Sequence, residues 1–182
     1  MKKRGEIKKF YHYSFPMQAA LVTCKKPNDG VNAITVAWHT PLSKKPPLYG
    51  VSIAPSRYSH GLIEKSREFV VNFVPFKLVD KLQFCGSRTG RKTDKIKETG
   101  LTLDESEYSD TAFIKEAYSH LECKLYDSKK VGDHTFFIGE VLNVMYEENS
   151  FKQNLINLEQ VEPSFYRGGK TYTSCKKDIK KF

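Results

Sequence analysis

Glycine, hydroxyl and cationic residues are concentrated in one short stretch, residues 86–95, in a combination that can bind phosphate. The stretch reads Gly-Ser-Arg-Thr-Gly-Arg-Lys-Thr-Asp-Lys. Cationic and hydroxyl side chains form charge-assisted hydrogen bonds with phosphate oxygens, and glycines let backbone amides approach them. A nucleotide P-loop would need four residues between its glycines and a lysine directly after the second. Here three residues separate Gly86 from Gly90, and Arg91 precedes Lys92, so the sequence predicts an anion-binding loop of another kind.

A second stretch with the same chemistry, Ser56-Arg57-Tyr58-Ser59, stands directly before a predicted helix. The free N–H groups and the dipole at a helix N-terminus favour negative charge. The two stretches together predict a site for an anionic group. The alternative, that both are ordinary solvated loops, stays open on composition alone.

The only tryptophan, Trp38, lies near the end of a predicted strand that begins near Asn32. Small residues such as Ala33 and Ala37 alternate along this strand and would let a planar ligand approach closely, with Trp38 forming one wall. The alternative is a core tryptophan followed by a surface His39.

Several other chemistries lack their sequence signals. No Gly-x-Gly-x-x-Gly follows a strand, so no Rossmann dinucleotide site is predicted. The five histidines show no HExxH spacing and the four cysteines form no CxxC pair, so we predict no metal site. Cysteines in a cytosolic chain of this kind are predicted to be buried thiols, Cys123 among them.

Length and composition predict a single domain spanning residues 1–182, with a barrel core over about 15–170. The chain is 39% hydrophobic and has no apolar run long enough to span a membrane. The N-terminus lacks the apolar core of a secretory signal, so a soluble, cytoplasmic protein is expected. The net charge of +9 comes partly from terminal clusters that we interpret as solvated tails. These are Lys2, Lys3, Arg4, Lys8, Lys9, Lys176, Lys177, Lys180 and Lys181.

Short β-rich runs dominate the chain and are separated by turn residues. Strands are predicted at 19–24, 34–38, 48–53, 69–74, 121–126 and 135–146, the last with a bulge or bend at Gly139. Helices are predicted at 59–66, capped by Ser59, and at 77–84, ended by Gly86. Because helices do not alternate with strands, the pattern favours a mainly β fold, an antiparallel barrel with appended helices.

Short motifs recur in a characteristic order through most of the chain. They are Asn32-x-x-Thr35-x-Ala37-Trp38, Pro47–Ala54, Ser56–Ser59, Glu68–Asn72, Cys85–Gly90, Asp94-Lys95, Gly132-Asp133-His134 and Gly139-Glu140-Val141. In this order they resemble the flavin-reductase-like FMN-binding family, over roughly residues 15–170. The resemblance implies an FMN-binding split β-barrel that works as a homodimer, with FMN bound close to the dimer interface.

The resemblance also implies roles for individual residues around FMN. The flavin ring and ribityl chain would be bordered by Asn32, Thr35, Val36, Ala37 and Trp38. Ser52 and Ala54 would touch the flavin through their backbones. The phosphate would be held by Arg57, Tyr58, Ser59, Ser87, Arg88, Thr89 and Lys95. His134 would face the ring or an incoming nicotinamide, as a catalytic residue that positions and polarises, and Phe165 and Tyr166 would close the pocket.

The function implied is that of a flavoprotein oxidoreductase, an NAD(P)H-dependent, flavin-reductase-like enzyme. The sequence leaves open a non-enzymatic FMN electron carrier that takes electrons from a redox protein. A basic nucleic-acid-binding barrel is disfavoured, because the cations cluster at the tails and in one loop instead of following a strand face.

Overall fold

The computed structural model describes residues 1–176 and 179–180. Its strands are β1 Met17–Gln18, β2 Ala20–Lys25, β3 Val31–Val36, β4 His39–Lys44, β5 Pro47–Ile53, β6 Glu68–Phe73, β7 Leu103–Asp104, β8 Phe113–Ile114, β9 Ser119–Val131, β10 His134–Tyr146, β11 Phe151–Lys152, β12 Leu155–Ile156, β13 Phe165–Gly168 and β14 Thr171–Thr173. The α-helices are α1 Tyr58–Ser66, α2 Val79–Ser87 and α3 Lys95–Thr99. Short 3-10 helices span Ile7–Ser14, Phe76–Leu78 and Glu148–Ser150.

Seven strands form the main sheet, in the order β3-β2-β6-β9-β10-β5-β4. Every neighbouring pair in it is antiparallel. The two edge strands, β3 and β4, follow one another in the chain but lie at opposite ends of this order, so the curved sheet is left unclosed. The prediction of a mainly β fold with appended helices is confirmed.

Strand β2 is buried on both faces, which explains its nearly continuous apolar run. Ala20, Val22 and Cys24 point into the core between the curved sheet's strands. Leu21, on the opposite face, packs with Leu82 of α2 in a second apolar cluster. Because α2 covers the outer face of β2 and β3, it places the residues that follow it beside the start of α1.

The 13-residue strands β9 and β10 form the longest hairpin in the described chain. Their register shifts between Ile138 and Gly139, which confirms the predicted bulge. A Cβ at position 139 would lie 2.6 Å from the Phe69 ring and 2.7 Å from Cys123. The hairpin therefore needs glycine at this point, where the core is closely packed.

The two predicted helices exist, but their ends differ from the prediction. Helix α1 begins at Tyr58, one residue before the predicted cap, and Arg57 stands at the N-cap without a capping side-chain bond. Ser59 lies inside the helix, and its hydroxyl accepts a hydrogen bond from Asn32. Helix α2 continues through Gly86 and ends at Ser87, so the prediction that Gly86 ends it is wrong.

Other elements also differ from the predicted pattern. Strand β3 begins at Val31 and ends at Val36, so Trp38 stands in the bend that follows the strand and not within it. Strand β4, helix α3 and the N-terminal 3-10 helix were not predicted. Strand β4 is an edge strand with mostly exposed residues, which is why it lacks an alternating apolar pattern.

The remaining sequence predictions concern thiols and tails. Cys24, Cys85 and Cys123 are buried, while Cys175 is partly exposed. The described N-terminal basic residues and Lys176 are exposed, as expected of solvated tails, and Lys177 and Lys181 lie outside the described residues. No described helix combines the length and apolar character required for crossing a bilayer.

Candidate functional site

Two adjoining cavities lie along β3, one walled by aromatic rings and one by polar side chains. The first, here called the ring cavity, has a volume of about 270 Å³. It is lined by Tyr11, Phe15, Ile34, Thr35, Val36, Ala37, Trp38, Ser52, Ile53, Ala54, Arg57, His134 and Tyr166.

The second, here called the phosphate cavity, has a volume of about 220 Å³. It is lined by Asn32, Ile34, Ser56, Arg57, Tyr58, Ser59, Gly86, Ser87, Arg88, Thr89, Gly90 and Lys95. Ile34 and Arg57 line both cavities, so the two cavities adjoin. Every residue predicted from the sequence to lie around the cofactor, apart from Phe165, lines one cavity or the other.

Backbone pairing fixes the position of Trp38 at the ring cavity. The Ser52 amide donates a hydrogen bond to the Trp38 carbonyl over 2.9 Å, and Ser52 itself pairs with Phe136 of β10. This places Trp38 beside His134 at the start of β10, with ring centroids 5.0 Å apart. Because the Ser52 amide donates in this bond, its N–H is not available to a ligand.

The exposed Asp133 carboxylate orients the imidazole of His134. Its Nδ1 lies 2.7 Å from an Asp133 carboxylate oxygen, and the side-chain exposures are 24% for His134 and 94% for Asp133. The hydrogen bond with His134 lowers the pKa of the Asp133 carboxyl below its usual value. With Nδ1 occupied by Asp133, the Nε2 edge is the one that remains for a ligand.

Two aromatic residues of the N-terminal segment complete the ring cavity, and sequence reasoning missed both. The Tyr11 ring meets Trp38 edge-on with centroids 5.7 Å apart. Phe15 meets Tyr166 edge-on at 5.3 Å. Tyr166 lines the cavity as expected, whereas Phe165 is not among its lining residues. The only feature of the sequence that could have indicated Tyr11 and Phe15 was the presence of several aromatic residues in an otherwise charged segment.

Asn32 and Ser59 form the buried floor of the phosphate cavity. Each is 1% exposed, and the Asn32 amide nitrogen donates to the Ser59 hydroxyl over 2.7 Å. Within the described residues, the Asn32 Oδ1 atom has no hydrogen-bond partner. A buried acceptor left unpaired costs free energy, so a ligand that donates a hydrogen bond would stabilise this position.

Lys95 lies deeper than a surface phosphate contact would. The side chain is 4% exposed, and its Nζ donates to the carbonyls of Ala33 and Cys85, each over 2.7 Å. Burial lowers its pKa below the usual value, and no carboxylate of the described chain forms an ion pair with it. Lys95 therefore ties β3 to the end of α2 and places a cation beneath the cavity.

The remaining polar residues stand around the opening of the phosphate cavity. The Arg88 guanidinium lies over the Phe84 ring, 5.9 Å from its centroid, and both Arg57 and Arg88 are exposed. The Ser87 hydroxyl donates to the Phe84 carbonyl over 3.1 Å. Thr35, which lines the ring cavity, donates its hydroxyl to the Leu82 carbonyl of α2 over 2.5 Å. The opening thus presents arginines free to turn toward an anion.

The unclosed antiparallel sheet with appended helices is a split barrel, and comparisons with known proteins identify its family. Residues 12–169 match the family described as "Flavin reductase like domain". The chain belongs to this family, which confirms the resemblance seen in its motifs and the split-barrel class.

Individual relatives agree with this family. An uncharacterized protein of Pyrococcus abyssi is 37% identical over 149 residues, covering 82% of this chain and 85% of its own. An FMN-binding protein from Thermus thermophilus, solved with bound 1-cyclohex-2-enone, is 31% identical with a TM-score of 0.83, covering 100% of this chain and 98% of its own. The flavoredoxin of Desulfovibrio vulgaris (Miyazaki F) has a TM-score of 0.89 at 23% identity, covering 100% and 97%, and shows the shared fold.

Proposed function

We propose that this protein is an FMN-binding oxidoreductase, a single-domain cytoplasmic enzyme that takes electrons from NAD(P)H through bound FMN. The observation that carries the proposal is that the two cavities adjoin. An aromatic-walled cavity and a cation-lined cavity share Ile34 and Arg57. This arrangement suits a ligand with a planar ring at one end and a phosphate at the other. The Thermus relative, which is described as FMN-binding, supports the choice of FMN.

The described residues fit FMN on chemical grounds. The phosphate cavity offers the cations Arg57, Arg88 and Lys95, together with several hydroxyls, to a dianionic group. The unpaired Oδ1 of Asn32 is an acceptor, and the ribityl chain of FMN carries hydroxyl donors. When bound, FMN supplies the hydride and electron chemistry that no side chain of a protein provides.

The chain's own residues would bind, orient and exclude water. Trp38, Tyr11 and Tyr166 wall the ring cavity, and by excluding water they strengthen the electrostatic interactions inside. His134, held by Asp133, would position and polarise the reacting partner as a hydrogen-bond donor or acceptor at Nε2. Thr35, Val36, Ala37, Ser52 and Ala54 supply the wall on the strand side.

The visible absorption spectrum of the purified protein tests the cofactor, before and after addition of FMN and gel filtration. A retained two-band spectrum near one FMN per chain is expected, and a colourless protein that refuses FMN would contradict the proposal. Anaerobic NADH or NADPH should then bleach the bound flavin. If the flavin binds but neither nucleotide bleaches it, the proposal of an NAD(P)H-dependent enzyme is contradicted. The protein would then be an electron carrier that takes electrons from a redox protein.

We further propose that the protein works as a homodimer. Large apolar side chains are exposed on the β9–β10 hairpin, at Tyr126, Leu142, Val144, Met145 and Tyr146, with 42–58% exposure, and Val144 and Tyr146 share one face of β10. Exposed apolar clusters of this kind mark protein interfaces. Light scattering coupled to size exclusion should give twice the 20.9 kDa chain mass. A monomer that persists at high concentration would contradict this proposal.

A further inference from the structure

Lys95 is a buried cation that has no counter-ion among the described residues. It is 4% exposed, and its Nζ donates to the carbonyls of Ala33 and Cys85, each over 2.7 Å. Both acceptors are uncharged, and none of the ion pairs in the described part of the chain includes Lys95. A buried charge without a partner loses its hydration and gains no compensating attraction. An anion placed beside Lys95 would therefore stabilise this site.

The titratable groups that surround Lys95 do not supply this negative charge. Burial raises the pKa of the Cys24 thiol, on β2, and of the Cys85 thiol, on α2, to about 11, so both are neutral near pH 7. Arg57, at the N-cap of α1, and Lys26, which follows β2, add positive charge. Strand β3 has no titratable residue. Burial, together with these two cations, lowers the pKa of Lys95 below the usual lysine value.

The carboxylates nearest to Lys95 in sequence do not neutralise it either. Asp94 caps helix α3, where its carboxylate accepts a hydrogen bond from the Lys97 amide over 3.2 Å. Glu98 is exposed to solvent. No described aspartate or glutamate lines the phosphate cavity. The negative charge that Lys95 lacks must therefore come from a ligand.

An anion in the phosphate cavity can reach the Lys95 ammonium. Lys95 lines this cavity, and a lysine ammonium has three N–H donors. The carbonyls of Ala33 and Cys85 accept two of them, which leaves the third for a ligand. A negative charge beside an amine favours its protonated form. The cavity thus offers a phosphate one charge-assisted hydrogen bond, from a side chain whose proton the phosphate itself stabilises.

We infer that the flavin phosphate is the counter-ion of Lys95, and that its binding draws a proton onto this side chain in alkaline solution. The inference rests on the proposed binding of FMN. In the free protein the buried amine releases its proton at a lower pH than an exposed lysine does, whereas the bound dianion holds the proton in place. The phosphate cannot provide this proton, because a phosphate monoester is already a dianion well above its second pKa of about 6. The proton is therefore taken up from solvent, and the affinity for FMN falls as the pH rises.

Calorimetric titration of the flavin-free protein measures this proton. FMN is titrated at pH 7.0 and at pH 9.0, each in two buffers that differ in their enthalpy of ionisation, so that proton uptake appears as a difference in heat. Uptake should increase between the two pH values, to at most about one proton per FMN, and the affinity should fall by up to about tenfold per pH unit. Riboflavin has the same ring and no phosphate, so it should show neither the added uptake nor this loss of affinity.

Lys95→Met tests the assignment to this residue, since methionine keeps an unbranched side chain and has no titrating group. Its FMN-specific proton uptake should disappear, and its affinity for FMN should change with pH no more than its affinity for riboflavin does. Lys97→Met is the matched control, because Lys97 is exposed on the same helix. This variant should retain the wild-type uptake. An equal loss of uptake in both variants would indicate a general effect of charge and overturn the inference, as would uptake that persists in Lys95→Met.

The wild-type titrations separate the two proposals. FMN binding without proton uptake at either pH, or with the same uptake as riboflavin, overturns the inference but leaves the proposed function standing. Failure to bind either flavin removes both. Because the comparison of FMN with riboflavin needs no variant, it also decides the matter if Lys95→Met does not fold.

Discussion

The hydroxyl of Tyr49 lies 2.7 Å from Nδ1 of His39, and the Gln18 carbonyl lies 2.9 Å from Nε2 of the same ring. Because a carbonyl can only accept, Nε2–H donates to Gln18, and the Tyr49 hydroxyl can donate to Nδ1 when the imidazole is neutral. His39 follows Trp38 in sequence and is the first residue of β4. Its ring therefore connects β4 to Gln18 of β1 and Tyr49 of β5 by hydrogen bonds. His39 is partly buried with both ring nitrogens bonded, and so it differs from the surface histidine of the alternative interpretation.

His39 predicts a loss of stability in mild acid. Burial lowers its pKa below the ordinary value of 6.5, so the unfolded chain binds this proton more readily than the folded one. Its stabilisation is present above pH 6.5 and is lost as the pH falls through the folded pKa, at up to about 1.4 kcal/mol per pH unit. Urea midpoints at pH 7.5 and 5.5 should differ less in His39→Gln than in the wild-type protein. The exposed-histidine variant His12→Gln should retain the full difference, and an equal flattening in both variants would contradict the assignment.

Trp38→Ala should weaken FMN binding by about three- to tenfold, the worth of one aromatic contact. The reason is that Trp38 walls the ring cavity against His134 and Tyr11. The flavin retained after gel filtration measures this. Tyr108→Ala, which removes an exposed ring that lines neither cavity, should retain the wild-type amount. Unchanged flavin content in Trp38→Ala would count against the placement of the ring.

Arg88→Ala should lower the affinity for FMN by about tenfold, since a charge-assisted hydrogen bond to phosphate is lost. Riboflavin, which lacks the phosphate, should bind Arg88→Ala and the wild-type protein nearly equally. Calorimetric titration with both ligands makes the comparison, with Lys97→Ala as the charge-matched control. Equal losses for FMN and riboflavin would show that Arg88 does not contact the phosphate end.

His134→Gln should keep its flavin but reduce it more slowly with NAD(P)H, by about tenfold. This is less than the hundredfold or greater loss typical of a proton-transfer residue. Stopped-flow bleaching of the flavin measures the rate, and Asp133→Asn should give a smaller effect because it only loosens the 2.7 Å contact. A thousandfold loss in His134→Gln, with a new dependence on pH, would instead assign His134 as a general acid or base.

The elements that the sequence predicted best are those with strong apolar patterns. The run at 48–53 corresponds to β5, Pro47–Ile53, and the glycine in the longest run marks the β-bulge. Strand β4 was missed because it contains Pro41 and lies on an exposed edge, where no buried face imposes alternation. The predicted strand extended to Trp38, because tryptophan is common in strands. In the structure β3 ends at Val36 and Trp38 lies in the bend that follows.

The sequence predicted which residues line the two cavities, but it did not predict which atoms these residues contact. Motif order placed Lys95 with the phosphate group, yet the direction of a long side chain depends on the carbonyls it finds, here those of Ala33 and Cys85. Tyr11 and Phe15 reach the ring cavity only through tertiary packing of the N-terminal segment. Local sequence carries no information about such long-range placement.

The distribution of the four thiols gives the chain a built-in position for a spectroscopic label. Burial raises the pKa of the Cys24 and Cys85 thiols to about 11, and Cys123 is 1% exposed. Since a thiolate is the species that reacts with maleimides, these three resist modification in the folded state. Cys175 alone among the cysteines is partly exposed. A single fluorophore attached there would report on the C-terminal region of the wild-type sequence without any engineered cysteine.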